Sequence, residues 1–388
     1  MLERREFLKR LSMMGVVAAA PVAFDLGHSP SQRLPAVQPS DGSFAVSYRH
    51  IQPVKRPRKI IIPDVGEYKV LKGDFHIHTY FSDGTIMPKD RVAEAVDNGL
   101  DVISITDHIE YRPYFGGDRA GSIRLADKND DHNIAFDLAK PDADRTGLIL
   151  VRGTEITKNM PPGHFNAFFL EDANPIAAAV DDWQQMLAIA CGQGGFIHWN
   201  HPNFPGFQPG DPMRFMPEIE DAYKKGYIHG VEVFNGTTYY PIVSQWCEER
   251  DLALIANSDI HISEWDMYGS QNPLRPMTLI LAKERSHDSI KEAFFARRTI
   301  ALAGGMVLGS QEWLKKLFEA CVSINSTRPG LLELQNKSDI PCYVKAGGSV
   351  RSLPAQGQLS LYRSSNMKTL TVSNWLVRMD KALEIDLE

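Results

Sequence analysis

Short apolar runs recur along the middle of the chain, and stretches with helical spacing separate them. Apolar runs bounded by turn-forming residues predict strands, whereas apolar residues at intervals of three and four predict amphipathic helices. The predicted strands are residues 72–78, 102–106, 148–156, 165–170, 195–197, 230–234, 253–256 and 277–281. The clearest predicted helices are residues 89–98, 176–191, 241–250 and 286–297. This alternation predicts an α/β fold with mostly parallel strands, either a barrel or an open doubly wound sheet.

The pattern changes after about residue 310. A helical stretch at 311–320 leads into apolar runs that turn-forming residues separate, at 321–324, 331–335, 342–346, 358–362 and 369–372. We therefore predict a large α/β domain at 71–309 and a small C-terminal β-sandwich domain at 310–388. The sandwich carries no cluster of His and acidic residues, so no chemistry is assigned to it. Residues 29–70 are predicted to be a linker followed by a short lead-in strand at Ile60-Ile61-Ile62.

Residues 1–28 have the pattern of an export signal. The adjacent Arg4-Arg5, followed by Phe7 and Leu8, resembles the twin-arginine signal of bacteria, and an apolar run at 11–24 comes next. That run is too short for a comfortable membrane span, so no stable span is expected. We expect an exported protein, periplasmic or otherwise extracytoplasmic. The alternative is an ordinary amphipathic first helix.

Composition and charge narrow the classes of function. The 388-residue chain is 43% hydrophobic and carries a net charge of −6, which argues against a nucleic-acid partner because a phosphate backbone calls for a basic face. The four cysteines have no short paired spacing, so no thiolate zinc motif is present. Cys191 and Cys247 are expected to fill core. Whether Cys321 and Cys342 pair is left open.

The first candidate metal ligands along the chain are His76 and His78. Side chains alternate along a strand, so this pair at a strand end would face one way and could grip one metal ion. Two imidazoles alone hold a divalent cation poorly. The metal site therefore depends on ligands from other parts of the chain.

Such ligands follow the other predicted strands, at the edge where α/β barrels place their active sites. They are Asp83, the Asp107-His108 pair, Glu155, His164, one of His198 and His201, and a second same-face pair, Asp259 and His261. With His76 and His78, six or seven of the chain's 12 histidines fall at predicted strand ends, which chance placement does not explain.

These candidates outnumber the roughly four ligands that one zinc ion takes. Two or three ions that share a carboxylate would use them all, and Glu155 is the central acid available. His, Asp and Glu without Cys favour zinc, manganese or iron. Clustered ions lower the pKa of a bound water to roughly 7 and neutralise charge on an ester's oxygens. The sequence therefore predicts a hydrolase, with phosphoesters as its commonest substrates.

Together the motifs resemble the polymerase and histidinol phosphatase (PHP) family of metal-dependent phosphoesterases. The resemblance rests on His76-Ile77-His78 with Asp83-Gly84, Thr106-Asp107-His108, Gly153-Thr154-Glu155, Gly163-His164, Asn200-His201-Pro202 and Ser258-Asp259-Ile260-His261. It spans residues 72–303. It implies a distorted (β/α)7 TIM-like barrel and a trinuclear site in which a metal-bridging hydroxide attacks phosphorus.

The resemblance also implies roles for individual residues. One ion would be bound by His76, His78, Glu155 and Asp259, a second by Glu155, His164 and His201, and a third by Asp83, His108 and His261. Asp83 and His261 would also take part in catalysis. Arg275 and Arg298 stand near the positions of phosphate-binding cations in some family members, and Arg112 is a weaker candidate. Asp107, Asn166 and Asn200 are expected to orient the imidazoles.

We therefore expect an exported, metal-dependent phosphoesterase that acts on a small molecule such as a nucleotide or sugar phosphate. One alternative is a hydrolase of a carboxylic or carbamic ester in the same site. Another is a non-catalytic secreted protein with a structural metal cluster and a C-terminal domain that binds glycan or a partner. The charged insert at 110–145 is expected to help build a substrate lid.

Overall fold

The computed structural model describes residues 59–112, 130–202, 213–268, 274–346, 349–364 and 367–387. The predicted export signal lies outside the described residues, as do most of the predicted linker and the middle of the predicted lid. No helix in the described part of the chain is long and apolar enough to cross a membrane.

Strands and helices alternate through the first two thirds of the described chain, as the pattern predicts. Strands β1 to β9 are Lys69–Asp74, Val102–Ile105, Ile149–Ile156, Phe165–Phe168, Phe196–Trp199, Gly230–Asn235, Thr238–Tyr239, Ala253–Asn257 and Met277–Ala282. Strands β10 to β18 are Thr299–Ala303, Met306–Leu308, Val322–Arg328, Leu331–Asn336, Cys342–Ala346, Ser349–Leu353, Gln358–Tyr362, Thr369–Arg378 and Lys381–Asp386. Helices α1 to α9 are Pro88–Asp97, Ile134–Thr146, Asn174–Ala178, Trp183–Gly192, Pro217–Lys224, Val243–Arg250, Glu264–Tyr268, His287–Phe295 and Gln311–Cys321.

The central sheet is mixed. Strands β1, β2 and β3 are parallel, and so are β5, β6 and β8, while β4 runs antiparallel between β3 and β5. Strand β9 runs antiparallel to β1, and β10 runs antiparallel to β9. Thr278 Oγ1 lies 3.0 Å from both N and O of Ala256, so a side chain links β8 to β9. An isolated bridge between Ile77 and Ile260 joins the segments that follow β1 and β8.

Beneath the carboxyl ends of the strands, the interior is filled by aromatic rings. Phe75 packs against Phe168 and Phe294 with ring centroids 4.7 Å apart, and Phe196 lies 5.2 Å from Phe168. All four side chains are fully buried. Strands β2, β4, β5, β8 and β9 are buried along their whole length, which explains their apolar runs. These strands form a packed platform under the polar residues that follow them.

The structure does not confirm the separate C-terminal sandwich predicted from the sequence. Strand β17 pairs in parallel with β11, so the central sheet continues into β17, β14, β15 and β18. Strands β12, β13 and β16 form a second, antiparallel sheet. Side chains of both sheets join one core with α9, including Leu334, Val344 and Phe318. A sandwich is therefore not confirmed, and the domain boundary near residue 310 stays a prediction.

Local details correct other expectations. The predicted lead-in strand at residues 60–62 is absent, because Ile61 bonds instead to the backbone and carboxylate of Asp339 at 2.8 Å each. The predicted helix at 176–191 is two helices, α3 and α4, since Asp182 caps α4 by accepting from the backbone N of Gln184 and Gln185. The four cysteines are free thiols.

Candidate metal centre

The predicted ligands meet at one edge of the central sheet. His76 and His78 follow β1, His108 follows β2, His201 follows β5, and Asp259 and His261 follow β8. Glu155 lies near the end of β3, and His164 precedes the antiparallel β4, whose start is at this same edge. Two residues have unusual left-handed backbones there, with φ of 23° at His201 and 51° at Asp259. Such strain is found preferentially at functional sites.

Three groups of potential ligand atoms form within this edge, each with its atoms no more than 4.8 Å apart. The groups are His78, Asp83, His108 and His261; His76, Glu155 and His201; and His76, His78 and Asp259. His164 is the one predicted ligand outside these groups, but its Nδ1 lies 3.0 Å from Glu155 Oε1. The grouping differs from the one implied by resemblance in that His78 joins the Asp83 group and His76 joins His201.

Glu155 lies at the centre of the cluster, and its two oxygens face different imidazoles. Oε1 lies 3.4 Å from His76 Nε2 and 3.6 Å from His201 Nε2. Oε2 lies 3.4 Å from His78 Nε2 and 2.7 Å from His108 Nδ1. A carboxylate whose oxygens face opposite ways is suited to bridge two cations.

Two further acids, Asp259 after β8 and Asp83 in the loop after β1, complete the cluster. Asp259 Oδ1 lies 3.1 Å from Nε2 of both His76 and His78. Asp83 Oδ1 lies 3.1 Å from His261 Nε2 and 3.5 Å from His108 Nε2. Ligand atoms bound at about 2.0 to 2.2 Å around a tetrahedral ion are themselves about 3 to 3.6 Å apart. These distances therefore match the spacing that a cation requires.

The cluster also leaves buried polar atoms without hydrogen-bond partners. Among the described residues these include Nε2 of His76, His78 and His164, Oδ1 of Asp83 and Asp259, and Oε2 of Glu155. A native protein rarely leaves so many buried polar atoms unpaired in one place, because each costs free energy. Divalent cations would satisfy them together. The residues present therefore fit a metal centre of nitrogen and oxygen ligands, without thiolates.

The acids and two of the histidines are held in the forms that bind a cation, whereas the neighbouring acids outweigh burial and raise the pKa of His76, His108, His201 and His261. Burial opposes the ionisation of Glu155, but the imidazoles of His108 and His76 outweigh it and hold the pKa of that carboxyl well below its usual value. Burial, together with the rings of His261 and His108, lowers the pKa of His78 to about 3. Burial likewise lowers the pKa of His164 to about 4. Ionised carboxylates and neutral imidazoles are the forms that bind a metal.

Surrounding polar residues hold the acids in place. Asn200 donates from Nδ2 to Glu155 Oε1 and to Asn166 Oδ1, at 2.8 Å each. Asp107 accepts hydrogen bonds from the hydroxyls of Thr79 and Ser82, at 2.5 and 2.6 Å. Asn200 and Asp107 were predicted to orient imidazoles. In the structure, Asn200 instead orients the carboxylate of Glu155, and Asp107 fixes the loop that carries Asp83.

Glu232 was not among the residues predicted from the sequence. This fully buried residue lies 2.8 Å from His76 Nδ1 through Oε1, and its Oε2 accepts from the backbone N of His201 at 2.9 Å. Burial opposes its ionisation, but His76 holds the pKa of this carboxyl at about 2. A carboxylate on Nδ1 fixes the ring so that Nε2 faces the cluster. One signal was available, because Glu232 is an acid inside the otherwise apolar strand β6.

The predicted phosphate-binding arginines have other partners. Arg275 is buried and pairs with Asp74, and its Nη2 lies 2.8 Å from Ser258 Oγ. Arg298 precedes β10, at the opposite edge of the sheet from the cluster, where it pairs with Glu292 and donates to the carbonyl of Leu281. The prediction for Arg298 is therefore wrong, because the direction of β10 carries it away from the site.

His198 and Arg112 are also bonded to groups outside the ligand cluster. His198 is fully buried, and its Nε2 lies 3.3 Å from Asn257 Nδ2 rather than at the ligand groups, so His201 is the member of the pair that joins them. Arg112 donates from Nε to the carbonyl of Phe81 at 2.9 Å, which supports the loop after β1.

Comparisons with known proteins gave one matching family model and several similar solved structures. The PHP domain family model matches residues 74–190. The chain is 36% identical to a two-domain protein from Bacteroides vulgatus that contains a predicted PHP-like metal-dependent phosphoesterase, with a TM-score of 0.78, over 86% of this chain and 99% of that one. A suggested metal-dependent phosphoesterase from Bifidobacterium adolescentis is 18% identical over 58% of this chain and 96% of that one, with a TM-score of 0.39. No curated protein matches.

Proposed function

The chain belongs to the PHP family, and from this premise we propose that it is a hydrolase that cleaves a phosphoester of a small molecule with the help of two or three divalent ions. One observation carries the proposal, namely the set of unpaired buried ligand atoms that surrounds Glu155. A nucleotide or a sugar phosphate is the size of substrate that such a site would take.

Zinc, manganese or iron would suit the ligand set. His76, His78, Glu155, His201 and Asp259 would hold the ions in the interior, and His164 would join them through its unpaired Nε2. Such ions supply a more acidic bound water and neutralise charge on the phosphoryl oxygens.

Asp83 and His261 have the most exposed side chains of the cluster, at 24% and 35%, so they stand on its open side. We assign them contact with the substrate in addition to metal binding. Interior residues such as Glu155, which is fully buried, would hold the ions from the other side.

The proposal extends to the fold and to the location of the protein. We propose that β1 to β9 close as a distorted (β/α)7 TIM-like barrel, and the Thr278 link between β8 and β9 supports this. Residues 71–309 would be the catalytic domain and residues 310–388 an appended domain. Export by a twin-arginine signal at residues 1–28 also remains part of the proposal.

The direct test measures metal content and hydrolysis on the full chain. We expect more than one equivalent of zinc, manganese or iron by mass spectrometry, and turnover of p-nitrophenyl phosphate or of a nucleotide. Glu155→Gln should lose both metal and activity, because one carboxylate oxygen is replaced by an amide nitrogen that cannot bind a cation and the negative charge is lost. Glu249→Gln, on the exposed face of α6, is the matched control. A folded, metal-replete protein inert toward a broad phosphoester panel would contradict the proposal.

A hydrolase of a carboxylic or carbamic ester is the second candidate. The observation in its favour is that Arg275 and Arg298 are both engaged in ion pairs away from the ligand atoms, and a phosphate substrate benefits from such cations. Assaying p-nitrophenyl acetate beside p-nitrophenyl phosphate separates the two functions. Faster metal-dependent cleavage of the acetate would favour the second.

A further inference from the structure

Beside the metal cluster is a cavity of 390 Å³, which we name the apolar subsite. Its lining comes from β6, β7, α7, the segment before β9 and the turn between β10 and β11. The described residues that line it are Phe234, Gly236, Thr237, Tyr239, Met267, Tyr268, Leu274, Arg275, Pro276, Ala303, Gly304 and Met306. Cavities of this volume are typical of small-molecule sites.

The apolar subsite adjoins the metal ligands. Asn235, between the lining residues Phe234 and Gly236, donates from Nδ2 to Asp259 Oδ2 at 3.2 Å. A Cβ added at Gly236 would lie 3.3 Å from the carbonyl O of Ser258 and from Cε of Met267. The wall of the cavity is therefore separated from the predicted metal ligand Asp259 by one residue, which is Asn235 on the β6 side and Ser258 on the β8 side. The cavity is thus next to the ligand cluster.

The lining selects against charged and polyhydroxylated groups. It consists mainly of aliphatic, methionine and aromatic side chains, and the rings of Phe234 and Tyr239 lie 5.0 Å apart. Arg275 is the one charged side chain among the described lining residues, and Asp74 balances it. A phosphate or a sugar placed there would lose its hydration without compensation. An aromatic ring would pack well against the two rings and the methionines.

The apolar subsite also contains hydrogen-bond donors that have no acceptor among the described residues. The hydroxyls of Tyr239 and Tyr268 are buried and have no partner among the described residues, and the same holds for Nε of Arg275. Burial raises the pKa of both tyrosines, so their hydroxyls remain donors at neutral pH. Buried donors normally find an acceptor. An occupant of the cavity that carries an acceptor group would pair with them.

We propose that the apolar subsite binds an aromatic or heteroaromatic group of the substrate that carries a hydrogen-bond acceptor, such as a ring nitrogen, a carbonyl or a nitro group. This inference rests on the proposed hydrolase function, because it places the leaving group of the ester in the cavity. It selects aryl and nucleoside-type esters over sugar and glycerol phosphates.

The first test compares substrates and tyrosine variants on the metal-loaded full chain. Wild type should have a KM for p-nitrophenyl phosphate at least tenfold below that for glycerol 2-phosphate, since KM reports binding of the ring more directly than kcat, which also depends on the leaving group. Tyr239→Phe and Tyr268→Phe should each raise KM for p-nitrophenyl phosphate several-fold with little change in kcat. The reason is that each variant loses only a hydroxyl that donates a hydrogen bond to the nitro group. KM for phenyl phosphate, which has no acceptor on its ring, should not move. Tyr362→Phe, at an 86% exposed position, is the matched control.

The second test does not depend on hydrolysis. Calorimetry should show that p-nitrophenol binds the full chain and that Tyr268→Phe weakens this binding. If p-nitrophenol binds in this way but no phosphoester is cleaved, the apolar subsite stands and the phosphoesterase proposal falls. If glycerol 2-phosphate is cleaved as well as the aryl ester and p-nitrophenol does not bind, the apolar subsite is overturned while the phosphoesterase proposal stands.

Discussion

At the scale of single residues, the candidate site is a set of imidazoles aimed by buried acids. Glu232 fixes His76 from one side while Glu155 and Asp259 face its other nitrogen. Each partner removes a rotational freedom that the ring would otherwise have. The geometry is thereby fixed before any ion arrives, and this is the property that substitutions should disturb first.

Replacing Glu232 with glutamine should weaken metal binding. The amide keeps the size of the side chain but no longer accepts as strongly from His76 Nδ1, so the ring loses its orientation. Outer partners of this kind are worth about 10- to 100-fold in metal affinity or activity. Metal titration of the purified variant measures the effect, with Glu249→Gln as the exposed control. An unchanged affinity would show that Glu232 does not orient the ring.

Arg275→Met should destabilise the fold, because it leaves Asp74 buried without its partner. Breaking a buried pair from one side costs about 3 to 5 kcal/mol. Urea unfolding should show most of that loss restored in the double variant Asp74→Asn/Arg275→Met, which removes both charges. Equal instability of the single and double variants would argue against the pair as the cause.

The residues of the cluster and some of their supports, such as Asn200, were predictable from the sequence, but Glu232 was not. His76, Glu155 and Asp259 follow apolar strands, and the rule that such strands end at one edge brought them together. Glu232 lies within a strand instead of after it, so the same rule missed it. Arg298 was misassigned because the sequence does not show that β10 runs antiparallel to β9 and so begins at the far edge.

At the scale of elements, close packing between neighbouring strands sets the position of the ligands. Strand β3 carries Glu155 and pairs with β2 on one side and with β4 on the other. A Cβ added at Gly153 would collide with Ser104 Oγ and lie 3.0 Å from the carbonyl O of Ala167. Glycine at 153 is thus what allows the three strands to approach.

Gly153→Ala should therefore cost stability and metal together. Overpacking of this kind destabilises by about 1 to 3 kcal/mol, and the shift of β3 should displace Glu155 and reduce the bound metal. Gly192→Ala is the matched control, because Gly192 ends α4 in open space, where alanine should add about 0.5 to 1 kcal/mol. Urea unfolding and metal analysis check both variants. A Gly153→Ala protein as stable as wild type would refute the packing argument.

The strands that the sequence pattern identified most clearly are those that are buried along their whole length. Strands such as β2 and β9 are buried throughout, so their apolar runs identified them. Strand β15 is exposed along most of its length and β18 alternates, so neither stood out. Helix α2 contains Pro141, which hid its helical pattern. The antiparallel direction of β4 depends on tertiary pairing, which a strand's composition does not reveal.

At the scale of the whole molecule, the free energy of unfolding should decrease in acid. Part of the decrease is expected because histidines that are buried and neutral become protonated. His229 accepts a hydrogen bond at Nδ1 from the backbone N of Ile197, at 3.0 Å. Burial, with a contribution from Arg297, lowers its pKa to about 4. In the unfolded chain a histidine titrates near 6.5. The folded form therefore gains stability above pH 6.5 and loses this contribution as the pH falls from about 6.5 to 4.

His229→Gln should reduce the acid sensitivity of the protein. Its free energy of unfolding should depend less on pH between 6.5 and 4 than that of wild type, by up to about 1.4 kcal/mol per pH unit. Urea unfolding at several pH values gives this slope. His287→Gln, with a half-exposed side chain, is the control. Identical slopes for wild type and His229→Gln would contradict the assignment.

The layout of the whole molecule was predicted in part. Alternating strands and helices gave the mixed α/β class, and the change of pattern after residue 310 marked the β-rich region. Continuation of the central sheet through the pairing of Val307 with Trp375 was not predictable, because it joins segments far apart in the chain. Such pairing depends on which sheet edges are open after the rest has folded.

The distance along the chain between His76 and His261 has a consequence for biosynthesis. While the ribosome is still making the segment after β5, the nascent chain contains His76, Glu155 and His201 but lacks Asp259 and His261, which belong to the other two ligand groups. Those two groups are completed only when the residues after β8 emerge and the Ile77–Ile260 bridge can form. The full cluster therefore forms late in the synthesis of each molecule, and a chain that ended before β8 would retain one ligand group of the three.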